Sequence, residues 1–159
     1  MIRDAHDPWH ASATALGPLS QTARERLAAI AGHATYETGE VVLRDGLPTP
    51  FLGIVESGRL GLRLSVPERG NQTVVTIERG ELVGWSAVVP PYRATAEAVA
   101  LEPTRIETYD AEGLRAALAA DHELAAELLP ILLTCVSDRL TTSWSQLLDL
   151  FARGPAEPW

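Results

Sequence analysis

The sequence predicts a mainly β domain with flanking helices, and three observations predict it. From Ala34 to Asp110 the chain alternates apolar and polar residues and breaks at turn signals, roughly every eight to twelve residues, in the manner of a sandwich or barrel of short strands. Ahead of this stretch Pro18, Leu19 and Ser20 form a helix start, with Ser20 as N-cap. Behind it, from Ile131 to Phe151, apolar residues recur at three- and four-residue spacing and spell an amphipathic helix.

Composition sets the bounds. A chain of 159 residues that is 46% apolar makes one domain able to bury a core without metal or disulfide staples. Cys135 is the single cysteine, so no internal disulfide forms and a reducing interior is the natural setting. The opening MIRDAHDPWHASATAL has no continuous apolar run and fits neither signal peptide nor anchor. No stretch approaches the ~18 to 20 apolar residues of a membrane span. The expected setting is soluble and cytoplasmic, with no membrane partner. The formal charge is −8, and the 13 basic residues are all arginines, scattered singly. Such a chain repels a phosphate backbone, so nucleic acid is not an expected partner.

Residues 1–15 read as a flexible arm and 153–159 as a tail. The first helix carries Leu27, Ile30 and Ala31 on one face and is expected to end near Gly32. Turn signals at Thr38-Gly39 and Asp45-Gly46 flank the strand Val41 to Leu43. FLGIVESGRLGLRLSV reads as two strands joined at Ser57-Gly58, with Ile54, Leu60, Leu62 and Leu64 in the core and Arg59 and Arg63 outward. Gly70-Asn71 and Arg79-Gly80 are the next turns, and Thr104 to Tyr109 closes the set. Ala111 to Ala120 is a short helix, and helix resumes near Asp121. Pro130 is either the first turn of a new helix or a kink. The long helix, about 20 residues or 30 Å, is as wide as the domain, so part of it projects or finds a partner.

The chemistry concentrates in GELVGWSAVVPPYRATAEAVA, Gly80 to Ala100. Gly84 lets a backbone approach a ligand closely. Pro90 and Pro91 fix the approach to Arg93, whose planar five-donor fork suits a phosphate or carboxylate. This order of Gly80, Glu81, Leu82, Val83 and Gly84, an apolar run, Arg93 and an alternating strand resembles the phosphate-binding cassette of cyclic nucleotide-binding domains. In particular it resembles the sensory half of catabolite-activator-type regulators. GWSAVVPPYR followed by ALEPTR is similar to a single-domain bacterial subgroup with a Gly-Trp-Ser and Pro-Pro-Tyr-Arg cassette.

The resemblance runs from Leu16 to Phe151 and implies a double-stranded β-helix, a jelly-roll-like β-roll, over residues 16–152. It implies a ligand site at Gly84, Trp85, Ser86, Tyr92, Arg93 and Thr95, with a cyclic nucleotide as the candidate ligand and no certain cofactor. It also implies that the long helix is a homodimer interface, here Val136, Leu140, Leu147 and Phe151, and a lid, with Thr142, Ser143 and Trp144 as the contacts. Two positions depart from the family pattern. Trp85 replaces the glutamate that accepts from the ribose 2′-hydroxyl, and indole offers a donor only. Glu97 stands where the cassette's hydroxyl belongs, with Thr95 as an alternative source. The family's transcription factors continue into a winged helix-turn-helix, for which the residues after the helix leave no room.

Arg93, Trp85 and Tyr92 each keep more than one reading. Arg93 is an anion receptor or a surface partner of Glu97 or Glu81. Trp85 stacks on a ligand or fills the space a nucleotide would take. Tyr92 donates to an anion, shields Arg93, or packs on the rim. His6, His10, His33 and His122 are too dispersed for a metal site, and Cys135 reads as a small buried hydrophobe. Ser57 and Ser86 lack the nucleophile elbow, and no enzyme activity is expected. The function read from the sequence is a stand-alone sensor that binds a nucleotide or other small anion and signals through its long helix. The alternative is a ligand-free dimeric scaffold that regulates a partner protein.

Overall fold

The computed structural model describes residues 15–152, without the side chains of Leu150 and Phe151. The expected arm up to Thr14, with His6 and His10, and the tail 153–159 lie outside the described residues, as does the Phe151 side chain. The elements run α1 (Gln21–Ala28), β1 (Ala31–Tyr36), β2 (Val41–Leu43), β3 (Phe51–Ser57), β4 (Leu60–Val66), β5 (Gly70–Ile77), β6 (Leu82–Val83), a one-turn helix (Trp85–Ala87), β7 (Glu97–Ala100), β8 (Thr104–Asp110), α2 (Ala111–Ala120) and α3 (His122–Ala152).

Two four-stranded sheets form a jelly-roll-like β-roll, one in the order β1-β8-β3-β6 and the other β2-β7-β4-β5. All described pairings are antiparallel. β5 and β6 each end a sheet, so the roll has a seam where two edge strands present unpaired backbone groups.

Two apolar clusters follow from the period-2 alternation of the strands. Phe51 and Val55 of β3, Leu60, Ile77, Val83, Ala98 and Ile106 fill the roll between the sheets. Leu52 and Ile54, on the opposite face of β3, join Leu82, Tyr109 and the helices through Leu27, Leu114, Leu124, Leu128 and Leu132. β3 is thus buried on both faces, which is why its sequence is a continuous apolar run (FLGIV) where a half-exposed strand would alternate. Gly53 sits inside the roll, where a Cβ would meet the Ile106 side chain at 2.6 Å.

Ser20 caps α1 as expected, its Oγ accepting from Ala23 N at 3.1 Å. The helix stops at Ala28, short of Gly32, because Ala31 to Tyr36 pair with β8; Ile30 and Ala31 still pack against the helix-side cluster. α1 is tied to α3 by the Glu127 carboxylate, which accepts from Ser20 N at 2.7 Å and Ser20 Oγ at 2.8 Å, and by Arg26 on Asp121 at 2.5 Å.

Ile54 and Leu60 are buried as expected and Leu62 half-buried, but Leu64 is 40% exposed. A bulge between Leu62 and Arg63 breaks the alternation, and β7 pairs with β4 only as far as Arg63, so the distal hairpin has no cover. The expected turn at Gly70-Asn71 falls earlier, at Pro67 to Arg69, with Glu68 at φ +65° and Gly70 already paired to Val66. Pro130 lies within α3, a single helix of 31 residues. Its missing N–H leaves one carbonyl of the preceding turn without a helical partner.

Candidate functional site

The cassette begins where β6 leaves the seam. Gly84 has φ +78°, and a Cβ there would come within 2.3 Å of the Phe51 carbonyl oxygen. Only glycine serves where a left-handed residue must pass that close to another strand. The chain then closes one helical turn, with Ala87 N donating to Gly84 O at 2.9 Å and Val88 N to Trp85 O at 3.2 Å.

Ser86 is buried, its hydroxyl 2.7 Å from that of buried Thr49. The Trp85 indole is half-buried against the helix-side cluster, beside Ala87 and Val88 and together with Leu124, Leu128 and Leu132 of α3. The cassette therefore packs on the layer that contains the long helix.

From Val88 the loop passes through a cis Pro90-Pro91 bond to Tyr92, at φ +60°. Backbone bonds pin it to the segment before β3: Thr49 N to Tyr92 O, Ala94 N to Leu47 O and Gly46 N to Ala94 O, each 2.9 Å. Arg93 is exposed and donates from Nη1 to Gly46 O at 2.8 Å. Among the described residues no carboxylate lies within 4.0 Å of its guanidinium; Glu81 instead accepts from Glu78 N. Thr95 is exposed and Glu97 opens β7 half-buried.

One residue absent from the sequence reading completes this loop. Arg115 of α2 donates from Nη1 to Ala87 O at 2.7 Å, and its guanidinium carbon stands 4.5 Å from the centroid of the Tyr92 ring. It lies 28 residues beyond Ala87 in the chain, and no local pattern announces it.

A second feature lies at the seam. Between β5 and α3 is a cavity of about 550 Å³, walled by Thr73 to Ile77 and Leu82 on the roll side and by Ile131, Cys135, Asp138, Arg139, Thr142 and Gln146 on the helix side. The helix residues form one face at three- and four-residue spacing. Two of them close the seam: Arg139 donates to Leu82 O of β6, and Gln146 donates to Val74 O of β5 at 2.5 Å. Each satisfies a carbonyl at a sheet edge.

Of the expected lid contacts, Thr142 lines this cavity, while Ser143 bonds back to Arg139 O and Trp144 is 57% exposed. Cys135 is half-buried in the wall, and burial pushes its thiol pKa up, keeping it protonated. The charged lining is two carboxylates, Glu81 and Asp138, against one guanidinium. None of the cassette residues from Gly84 onward lines it. Among the described residues no His, Cys, Asp and Glu cluster has the makings of a metal set, and no helix is long and apolar enough to cross a membrane.

The expected dimer residues lie along α3: Val136 is half-buried, while Leu140 and Leu147 are about half exposed, in line with exposed Leu133, Trp144 and Leu148.

No curated protein matches this chain. Among solved structures, a cyclic nucleotide-binding domain from Methylobacillus flagellatus KT superposes with a TM-score of 0.75 at 21% identity, covering 82% of this chain and 74% of that one. The N-terminal domain of a transcriptional regulator from Streptomyces coelicolor A3(2) gives a TM-score of 0.63 at 23% identity, covering 89% and 96%. The catabolite activator protein of Thermus thermophilus gives 0.67 at 21% identity, covering 87% and 62%. At these identities the likeness shows the fold. The family profile described as cyclic nucleotide-binding domain matches residues 33–121, more than half of the chain, spanning both sheets, the cassette and α2. The chain belongs to the cyclic nucleotide-binding domain family.

Proposed function

We propose that this domain is a ligand-responsive regulatory module: the cassette receives a small anionic ligand of the nucleotide class at Arg93, and α3 reports its occupancy to a second copy of the chain or to a partner protein. The observation that carries the reading is Arg93, which is exposed, with one donor on a backbone carbonyl and no carboxylate within 4.0 Å among the described residues. A guanidinium so placed keeps donors for a phosphate or carboxylate. The acid-rich seam cavity is the less suitable receptor for an anion.

The route to α3 is short. Trp85, Ala87 and Val88 pack in the cluster that holds Leu124, Leu128 and Leu132, so a ligand that displaces the cassette changes the packing of α3. Leu140, Trp144, Leu147 and Leu148 then offer an apolar stripe suited to a symmetric contact between two copies. That stripe equally suits the second reading, a ligand-free dimeric scaffold whose surface regulates a partner.

A thermal-shift and calorimetric titration with cAMP, cGMP, AMP, cyclic dinucleotides and inorganic phosphate separates the two. The sensor reading expects stabilisation by a phosphate-bearing ligand that Arg93→Ala abolishes with little change in the unliganded melting temperature. An equal response in Arg93→Ala removes Arg93 as receptor, and no response to any compound transfers the function to the scaffold.

A further inference from the structure

We infer that Arg115 is a positioning residue: from α2 it holds both ends of the Val88–Tyr92 loop and so fixes the backbone from which Arg93 projects. Its role in ligand binding rests on Arg93 as the anion receptor; its hold on the loop does not. The guanidinium donates through Nη1 to Ala87 O, where the one-turn helix ends, and its carbon stands over the Tyr92 ring, one residue before Arg93. A planar guanidinium stacks and donates at the same time, whereas an ammonium is a point charge that does one or the other at full strength.

The loop has reason to need the hold. Tyr92 occupies φ +60°, a region costly to a residue with a Cβ, and Pro90 and Pro91 bring no N–H to bond it down. Arg115 is half-buried, and among the described residues no carboxylate within 4.0 Å competes for it. Its neighbour Leu114 is fully buried in the helix-side cluster, so the base of the grip is anchored in the same layer as α3. Displacement of the cassette is thereby felt through a polar contact as well as through Trp85.

The test compares amide hydrogen exchange in the unliganded protein with binding of cAMP and inorganic phosphate, in Arg115→Ala, Arg115→Lys, Tyr92→Phe and Tyr92→Leu. Arg115→Ala should exchange the Tyr92 and Ala94 amides roughly 30-fold faster, the low end of the loss expected for one charge-assisted hydrogen bond together with one exposed cation–π contact. The amides of Leu118 to Ala120 in α2 should be unaffected. Tyr92→Phe keeps the ring and should match wild type, Tyr92→Leu should loosen the loop, and Arg115→Lys should recover part of the protection. Unchanged loop exchange in Arg115→Ala overturns the inference, whatever binds. Where wild type binds cAMP or phosphate, Arg115→Ala should weaken binding by up to roughly 30-fold through the same loss, and undiminished binding with a loosened loop overturns the positioning of Arg93. If wild type binds neither probe, the anion reading fails separately, and the exchange comparison alone decides whether Arg115 holds the loop.

Discussion

The two halves of α3 are built from the same kind of sequence and do different things. Up to Leu132 one apolar face packs on the domain, and Leu124, Leu128 and Leu132 are buried at 1%, 0% and 3% exposure, while Leu129 on the other side is 47% exposed. From Leu140 onward the spacing continues, yet Leu140, Trp144, Leu147 and Leu148 are 49–69% exposed. The second half is attached by polar contacts, Arg139 and Gln146 on the carbonyls of the two edge strands. Apolar periodicity therefore marks a face that will be covered, without saying by what. The first half finds its cover in the same chain; the second offers its face outward.

This contrast can be broken by substitution. Leu128→Ala should be the most damaging change, costing about 2 to 5 kcal/mol in denaturant unfolding, as for other buried leucines. A loss below ~1 kcal/mol would mean that the first half is not the anchor. Gly84→Ala should follow, since the residue must hold φ +78° against the Phe51 carbonyl; several kcal/mol are at stake, of which ~1 to 2 are backbone strain alone. A melting temperature within error of wild type would contradict this placement of the cassette.

Leu140→Glu and Leu147→Glu should behave oppositely to Leu128→Ala. If the stripe joins two copies, each should leave monomer stability within ~0.5 kcal/mol while shifting sedimentation from dimer to monomer. If both variants remain dimers, the stripe is not the interface. Arg139→Ala, which frees the Leu82 carbonyl, should cost ~1 kcal/mol and speed exchange along the second half of α3 relative to the first.

The smallest effect is a pH dependence at the anchored end. The Ser20 backbone N–H holds the Glu127 carboxyl below its usual pKa, and the Leu124 N–H, with Arg26, does the same for Asp121. Both groups have lower pKa values folded than unfolded, so their contribution is complete above the ordinary carboxylate range and is lost as pH falls through the folded values. Stability should decline below about pH 4, and Glu127→Gln should flatten part of that slope. A slope unchanged in Glu127→Gln would show that the Glu127 part of the α1–α3 tie contributes nothing.

Much of the fold was legible because turn chemistry is local. Gly39, Gly46, Gly58 and Gly80 punctuate the strands where expected, all at positive φ, and α2 spans Ala111 to Ala120 as expected. What was not legible depends on partners. Leu64 carries the same alternation as Leu60 and is exposed because its neighbouring strand ends, and Ala31 leaves the helix because β8 recruits it. The cassette was readable as a segment from Gly84 to Arg93. The placement of Trp85 in the helix-side cluster, Arg115 over Tyr92 and Arg139 on the seam each required the tertiary fold to bring distant residues together.

On the sensor reading, an event at Arg93 is felt in the second half of α3. Amide hydrogen exchange of residues 136–149, measured with and without saturating cAMP in wild type and in Arg93→Ala, tests it most directly. Altered protection across these residues is expected in wild type, and no change in Arg93→Ala. Unchanged exchange in wild type, or the same change in both proteins, would contradict it.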